Sequence, residues 1–351
     1  MFTFEADARG RFKKGGTMAK VHADRAPLAD VQTVGIPRAL LYYRYGTFWK
    51  AFFESLGRDV VVSDVSNQAI FEAGQEASVD ETCLVAKLYL GHVCNLLDRD
   101  PAPDAIYVPG IANEGRWHTY CTKFQALPDV VRNGLYERHP RIISTYVEEQ
   151  TSGVTAERVY RDFALQFGAS KDQAKSSWKT ALKAQRNRDA KLATAQAELI
   201  AAQKKLPKGD RPLAILLAAH PYVLHDPFVG GPVVDALRAM GVTVLFSDEF
   251  DHQRAYKRSY DFSGSMPWVV NREIVGSVLE LFDQVDGIVL MSAYPCGPDS
   301  MTDDAISRRI QGKPMLMLTI DAQSGTAGIE TRIESFVDIL TYQKRGGYLH
   351  G

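Results

Sequence analysis

Four cysteines, Cys83, Cys94, Cys121 and Cys296, are spread over 351 residues. They are too sparse for the disulfide frameworks on which small secreted chains rely. In a reducing cytoplasm they read as free thiols, catalytic groups or metal ligands. Position separates them. Cys83 follows V-D-E-T at the start of a predicted helix, and Cys121 lies in a long loop after a predicted strand. Cys296 follows another strand within Y-P-C-G-P-D-S. In open α/β sheets, ligands bind at such places, beyond the carboxyl ends of the strands. Pro295 and Pro298 stiffen the turn around Cys296, and Gly297 removes a side chain beside the sulfur. That setting suits a thiolate meeting a bulky group close to the backbone. Cys94 would share a helix face with Cys83 but lie about 16 Å further along the axis. One small cluster cannot be held by both, so Cys94 is assigned to packing.

Three thiolates converging from separate segments could hold zinc or an iron–sulfur cluster. Structural zinc wants four closed ligands, usually with C-x-x-C pairs, and no C-x-x-C occurs. A cubane normally takes four thiolates, so with three, one iron keeps an exchangeable site. Widely separated single cysteines favour a cluster lodged between domains only weakly, and spacing alone leaves both metals open.

The elements that must position these thiols repeat a strand–helix–strand theme. Residues 33–36 read as a buried strand stopped by Pro37, 42–56 as a helix with an apolar stripe ending at Gly57, and 59–63 as the next strand. Such a unit in roughly 30 residues argues for a parallel sheet. A helix over 83–97, a strand over 105–108, and the stretches 129–135 and 141–147 complete a first α/β domain. Residues 153–206 are rich in Ala, Lys, Gln, Glu and Arg and stop at Pro207, which predicts two or three helices with a solvated charged face. The theme then returns: strands over 212–219, 242–246, 286–291 and 314–320, helices over 231–240, 273–282 and 331–340. The expected fold is therefore α/β, two Rossmann-like parallel-sheet domains (31–150 and 211–351) separated by a helical insertion (151–210). Residues 1–30 read as a polar tail. Within it, K-K-G-G ahead of Met18 could reflect a ribosome-binding sequence, with translation starting at Met18; a genuine disordered tail is the alternative.

Composition bounds the function classes. Forty-one basic against forty-two acidic side chains give a formal charge of −1, and hydrophobic residues make up 45%. That balance supplies no chain-wide cationic surface, so neither nucleic acid nor a membrane surface is an expected partner. The longest apolar run, 213–219, falls far short of the ~20 residues of a membrane-spanning helix. The opening M-F-T-F-E-A-D-A-R-G-R-F has no apolar core with a small-residue cleavage site. A cytoplasmic location follows as the expectation.

Six segments, in order, resemble the acyl-CoA dehydratase activase-related proteins, within the wider superfamily of 2-hydroxyacyl-CoA dehydratase subunits and double-cubane cluster proteins. They are V-G-I-P-R-A-L-L-Y-Y-R-Y-G-T-F-W-K-A-F-F-E-S-L-G (34–57), D-E-T-C-L-V-A-K-L-Y-L-G-H-V (80–93), Y-C-T-K-F-Q-A-L-P-D-V-V-R (120–132), H-P-Y-V-L-H-D-P-F-V (220–229), P-C-G-P-D-S (295–300) and T-I-D-A-Q-S-G-T-A-G-I-E-T-R-I-E-S-F-V-D-I-L (319–340). Val85 and Thr122 depart from the pattern, since the family places proline after the Cys-Leu pair and after the second cysteine.

The resemblance implies that Cys83, Cys121 and Cys296 hold a [4Fe–4S] cluster, alone or as one half of an [8Fe–9S] double cubane. It further implies low-potential electrons from a separate ATP-dependent activase, a homo- or heterodimer with a related subunit, and a place in anaerobic metabolism. No G-x-x-x-x-G-K-[ST] loop occurs in the chain, consistent with ATP chemistry in trans. Glu81, Lys87, Lys123, His220 and Asp299, all beside matched motifs, are the candidate catalytic groups. Each also has an ordinary reading: Glu81 complements a helix dipole, Lys87 sits on a helix surface, and His220 satisfies a turn. His92 and Asp226 are read as structural, the latter as a turn former. Three functions fit these residues: a cluster-bearing lyase or reductase component acting by radical dehydration or reduction of a small substrate, a non-catalytic iron–sulfur carrier for such a system, and a cluster-free or zinc-binding α/β module.

Overall fold

The computed structural model describes residues 26–115, 118–207, 209–321 and 326–346; the Met18 start and most of the expected tail lie outside them. Among the described residues ten strands are formed: β1 Thr33–Ile36, β2 Asp59–Val62, β3 Ala105–Tyr107, β4 Gly110–Asn113, β5 Ile142–Ile143, β6 Tyr146–Glu148, β7 Ala214–Ala218, β8 Thr243–Phe246, β9 Gly287–Ala293 and β10 Met315–Ile320. They assemble into two four-stranded parallel sheets, ordered β2-β1-β3-β5 and β10-β9-β7-β8, plus a two-stranded pair β4-β6. The two four-stranded sheets have the same internal order: in each, the first strand lies between the second and the third. The fold is mixed α/β with Rossmann-like parallel sheets, as the recurring strand–helix–strand pattern predicts.

The α-helices are α1 Tyr42–Ser55, α2 Gln68–Glu76, α3 Leu84–Leu97, α4 Thr122–Gln125, α5 Leu127–Gly134, α6 Glu149–Ser152, α7 Ala156–Gln166, α8 Lys171–Lys205, α9 Pro221–Leu224, α10 Gly231–Ala239, α11 His252–Arg258, α12 Val269–Leu281, α13 Gly297–Arg309 and α14 Thr326–Lys344. The stripe on α1 buries Phe48, Trp49, Phe52 and Phe53. These rings meet Tyr107 from β3 and Tyr160 and Phe163 from α7, mostly edge-to-face, the arrangement aromatic quadrupoles favour. Trp49 Nε1 donates to the buried Tyr160 hydroxyl at 2.9 Å.

The Ala-Lys-Gln-rich region forms two helices, α7 and the 35-residue α8, the latter opened by a Ser170/Gln173 capping box. One face of α8 is solvated, as its composition predicts, but the other packs on α1 and reaches the end of β8. The Gln185 side chain bridges the Arg44 carbonyl (2.9 Å) and the Phe48 amide (3.2 Å) on α1. Eleven residues on, the Gln196 side chain binds both the amide (2.7 Å) and the carbonyl (3.0 Å) of Phe246 at the end of β8. Two primary amides thus satisfy backbone groups in both halves of the molecule.

A buried ion pair adds a second tie. Arg44 on α1 donates to both carboxylate oxygens of Glu273 on α12, at 2.5 and 2.8 Å, and His252 Nδ1 lies 3.2 Å from the same carboxylate. A third tie is polar: Ser63 and Ser66 hold the two ring nitrogens of buried His92 at 2.9 Å each, and Ser66 and Tyr43 both donate to Asp226. Asp226 also accepts from the amides of Phe228 and Val229, so it forms its turn and links the two halves at once. Burial keeps the His92 imidazole neutral, lowered to about 4.

Candidate thiol-lined site

Cys83, Cys121 and Cys296 each occupy the residue just before a helix, α3, α4 and α13 respectively. All three line one cavity of about 170 Å3. Backbone bonds between the halves frame it. The Leu84 amide donates to the Tyr294 carbonyl at 3.0 Å, and the Val269 amide to the Thr119 carbonyl at 2.9 Å. Leu40, Val85, Phe124, Trp268 and Val270 supply much of the apolar wall, so a group held there would be shielded from water. Cys94 is buried apart from it, among the core side chains. All four cysteines are free.

The electrostatics follow from burial. Desolvation pushes the Cys83 thiol up, only partly opposed by the Ala86 amide and the Lys123 charge. Cys296 is pushed up further, by burial first and by the Asp299 carboxylate second. Helix N-termini ordinarily favour thiolates, but here burial outweighs them. Without a metal these two sulfurs carry protons, which a bound metal would displace. Asp299 itself is held below the usual carboxylate range: burial acts to raise it, and His220, Asn271 and Cys296 overcome that.

The polar side of the cavity gathers around Asp299. Its Oδ1 accepts from Asn271 Nδ2 at 2.9 Å and lies 2.9 Å from His220 Nδ1. At that distance His220 Nδ1 nonetheless makes no hydrogen bond. Asn271 also donates to Thr302 at 3.1 Å. Asp299 Oδ2 and Asn271 Oδ1 are buried without a protein partner. Such orphaned acceptors call for a donor from outside the chain. One turn along α13, Asp303 is raised to about 8 by burial and then by the Asp299 charge.

Of the five candidate polar residues, Lys123, His220 and Asp299 line the thiol cavity. Glu81 and Lys87 do not; they line a neighbouring open cleft of about 890 Å3 on the far side of the Tyr294–Pro295 segment. Val85 and Thr122, the two departures from the family pattern, both face the thiol cavity. Asn271, Tyr222 and Trp268 are cavity residues that sequence reasoning missed. The helix carrying Asn271 begins at Val269, four residues before the predicted start. The local pattern, a polar residue following W-V-V at a helix entrance, does not reveal the partners of Asn271. Among the described residues, no group of three His, Cys, Asp or Glu side chains converges tightly enough to hold a single metal ion. No helix among them is long and apolar enough to cross a membrane.

Comparison with known proteins adds a family. The model of the CoA enzyme activase uncharacterised domain matches residues 33–250, more than half of the 351. The chain belongs to that family. The matched span contains Cys83, Cys121 and His220 and ends before Cys296 and Asp299. No curated protein matches the chain. Among solved structures, the C-terminal domain of glucosamine-fructose-6-phosphate aminotransferase from Francisella tularensis is similar at 12% identity, covering 92% of this chain and 87% of that one, with a TM-score of 0.25. A manganese-bound periplasmic metal binding protein from Candidatus Liberibacter asiaticus is similar at 12% identity over 88% and 99%, TM-score 0.23. Glucosamine-6-phosphate deaminase from Thermotoga maritima is similar at 11% over 90% and 86%, TM-score 0.21. Likenesses this distant carry no functional argument.

Proposed function

We propose that Cys83, Cys121 and Cys296 hold a [4Fe–4S] cluster that an ATP-dependent activase protein reduces, and that the chain uses those electrons for radical dehydration or reduction of a small substrate. The observation that carries this reading is the meeting of three thiols, from segments 38 and 175 residues apart in sequence, at one largely apolar cavity. When bound, such a cluster supplies one-electron transfer at a potential set by its ligands and surroundings.

The chain's own residues do the rest. Leu40, Val85, Phe124 and Trp268 give the three half-buried cysteines an apolar surround. Lys123 favours the ionised form of Cys83. Asp299, held by Asn271, is placed to orient His220. A double cubane would require thiols from a second subunit, because Cys94 is not part of the cavity.

Anaerobic purification followed by iron and sulfide counting tests the reading. About four of each per chain is the expected result, falling in Cys83→Ser, Cys121→Ser and Cys296→Ser. A colourless, iron-free protein after strictly anaerobic handling contradicts it. Turnover with activase, ATP and a low-potential reductant then separates a catalyst from an electron carrier.

A further inference from the structure

His220 occupies the same kind of station as the cysteines. It stands immediately before a helix with φ −63° and ψ 145°, against −62° and 147° at Cys83 and −57° and 143° at Cys121. It lines the same cavity. His220 and Cys296 follow β7 and β9, adjacent strands at the point where the chain order of the second sheet reverses. That is where open parallel sheets bind ligands.

We infer that His220, through Nε2, is the fourth ligand of the group that the three cysteines hold, with Asp299 as the carboxylate that orients it. This rests on the thiol-cavity reading above. Metal-ligating histidines almost always turn their second ring nitrogen to a carboxylate or carbonyl, which fixes the tautomer and the ring plane. His220 Nδ1 lies 2.9 Å from Asp299 Oδ1, near enough to pair with the carboxylate although no hydrogen bond is formed there in this structure; that pairing would leave Nε2 to coordinate. The side chain is 7% exposed and stacks on Tyr222, with centroids 4.9 Å apart and planes 26° apart, so it has little freedom to swing away. Asp299 is held in turn by Asn271, itself anchored to Thr302. Each half of the molecule then contributes two donors: Cys83 and Cys121 from one, His220 and Cys296 from the other. A neutral imidazole in place of a fourth thiolate raises the reduction potential.

The test uses the full chain, purified anaerobically and reduced, with iron content, pulsed electron paramagnetic resonance and potentiometry as readouts. The wild type is expected to show the nitrogen coupling of a directly bound imidazole. His220→Ala is expected to lose that coupling while its circular dichroism stays native. His220→Cys, which restores a fourth donor and covers the case in which the alanine variant fails to fold, is expected to keep its iron, lose the coupling and shift to a lower potential. Iron present in the wild type without nitrogen coupling, coupling that persists in either variant, or an unchanged potential in His220→Cys overturns the assignment and leaves the cysteine ligands standing. Absence of iron from the wild type overturns the cavity reading and this assignment with it.

Discussion

His220 and Cys296 follow the ends of β7 and β9 by two and three residues, whereas Cys121 trails β4 by eight and Cys83 follows α2 through a turn. The first wall of the cavity is set by strands buried along their whole length, β7 with five residues and β9 with seven. The second wall has no such foundation. Its cysteines are placed by contacts that cross the molecule: Thr119 against Val269, Leu84 against Tyr294, and Arg44 on Glu273. One wall therefore inherits its geometry directly from strand ends, and the other adds contacts between the halves to local ties such as the Tyr120 amide on the Ala112 carbonyl (2.9 Å).

Cutting the ties should reveal that asymmetry, and the buried ion pair has the largest expected effect. Arg44→Met strands the Glu273 carboxylate in a buried site, so a loss of about 3–5 kcal/mol is expected in denaturant unfolding. Metal-free protein carrying this change should alkylate faster at Cys121 than at Cys296; equal acceleration of both would remove the distinction between the walls. The same pair sets an acid limit. Burial works against ionised Glu273, but Arg44 and then His252 hold it down to about 2, below its ordinary 4.5. A depressed carboxyl contributes its stability in full above about pH 4.5 and loses it as pH falls towards 2. An acid-unfolding titration of wild type against Arg44→Met checks this: the variant should lack that component of the decline.

Next in size come the two glutamines of α8. Gln185→Ala leaves polar backbone groups of α1 without a side-chain partner, and Gln196→Ala does the same at Phe246. Each is expected to cost about 1–3 kcal/mol. Hydrogen exchange should loosen α1 in the first variant and β8 in the second; a global response to either would mean that α8 does not brace the halves separately. The last effect, on the strand-built wall, is confined to high pH. Asp303 keeps its proton up to about pH 8 in the fold, while an unfolded carboxyl ionises near 3.8. Its cost therefore grows as pH rises from 3.8 and levels off above 8. Asp303→Asn should match wild type near pH 4 and exceed it at pH 9 by at least about 1.4 kcal/mol, the worth of a tenfold change in proton affinity. Thermal unfolding at both pH values measures the difference.

The same asymmetry explains what was readable in the chain. The strands at 33–36, 59–62, 243–246 and 315–320 emerge from short β-branched or apolar runs bounded by Pro, Gly or charge, and the structure places them within a residue or two. The helix α2 escaped notice because Gly74 interrupts its pattern. That glycine is required: a Cβ there would sit 1.9 Å from the Lys87 carbonyl oxygen on α3, so the residue that hides the helix permits its close packing. The stretch 141–147 divides between β5 and β6, which join different sheets, a parting that no local pattern encodes. Cys83, Cys121 and Cys296 could be named from their positions at helix starts and turns, and Lys123, His220 and Asp299 from lying beside the family motifs. Asn271 could not, because its role depends on Asp299 and Thr302, 28 and 31 residues away. Nor could the Arg44–Glu273 pair, which spans 229 positions.

Anomalous scattering at the iron edge, from crystals of anaerobically purified protein, tests most directly whether sulfurs from both walls share one group. The account predicts a single strong peak in the cavity bounded by Cys83, Cys121 and Cys296. An empty cavity in crystals of protein never exposed to oxygen, or iron located away from these three residues, would contradict it.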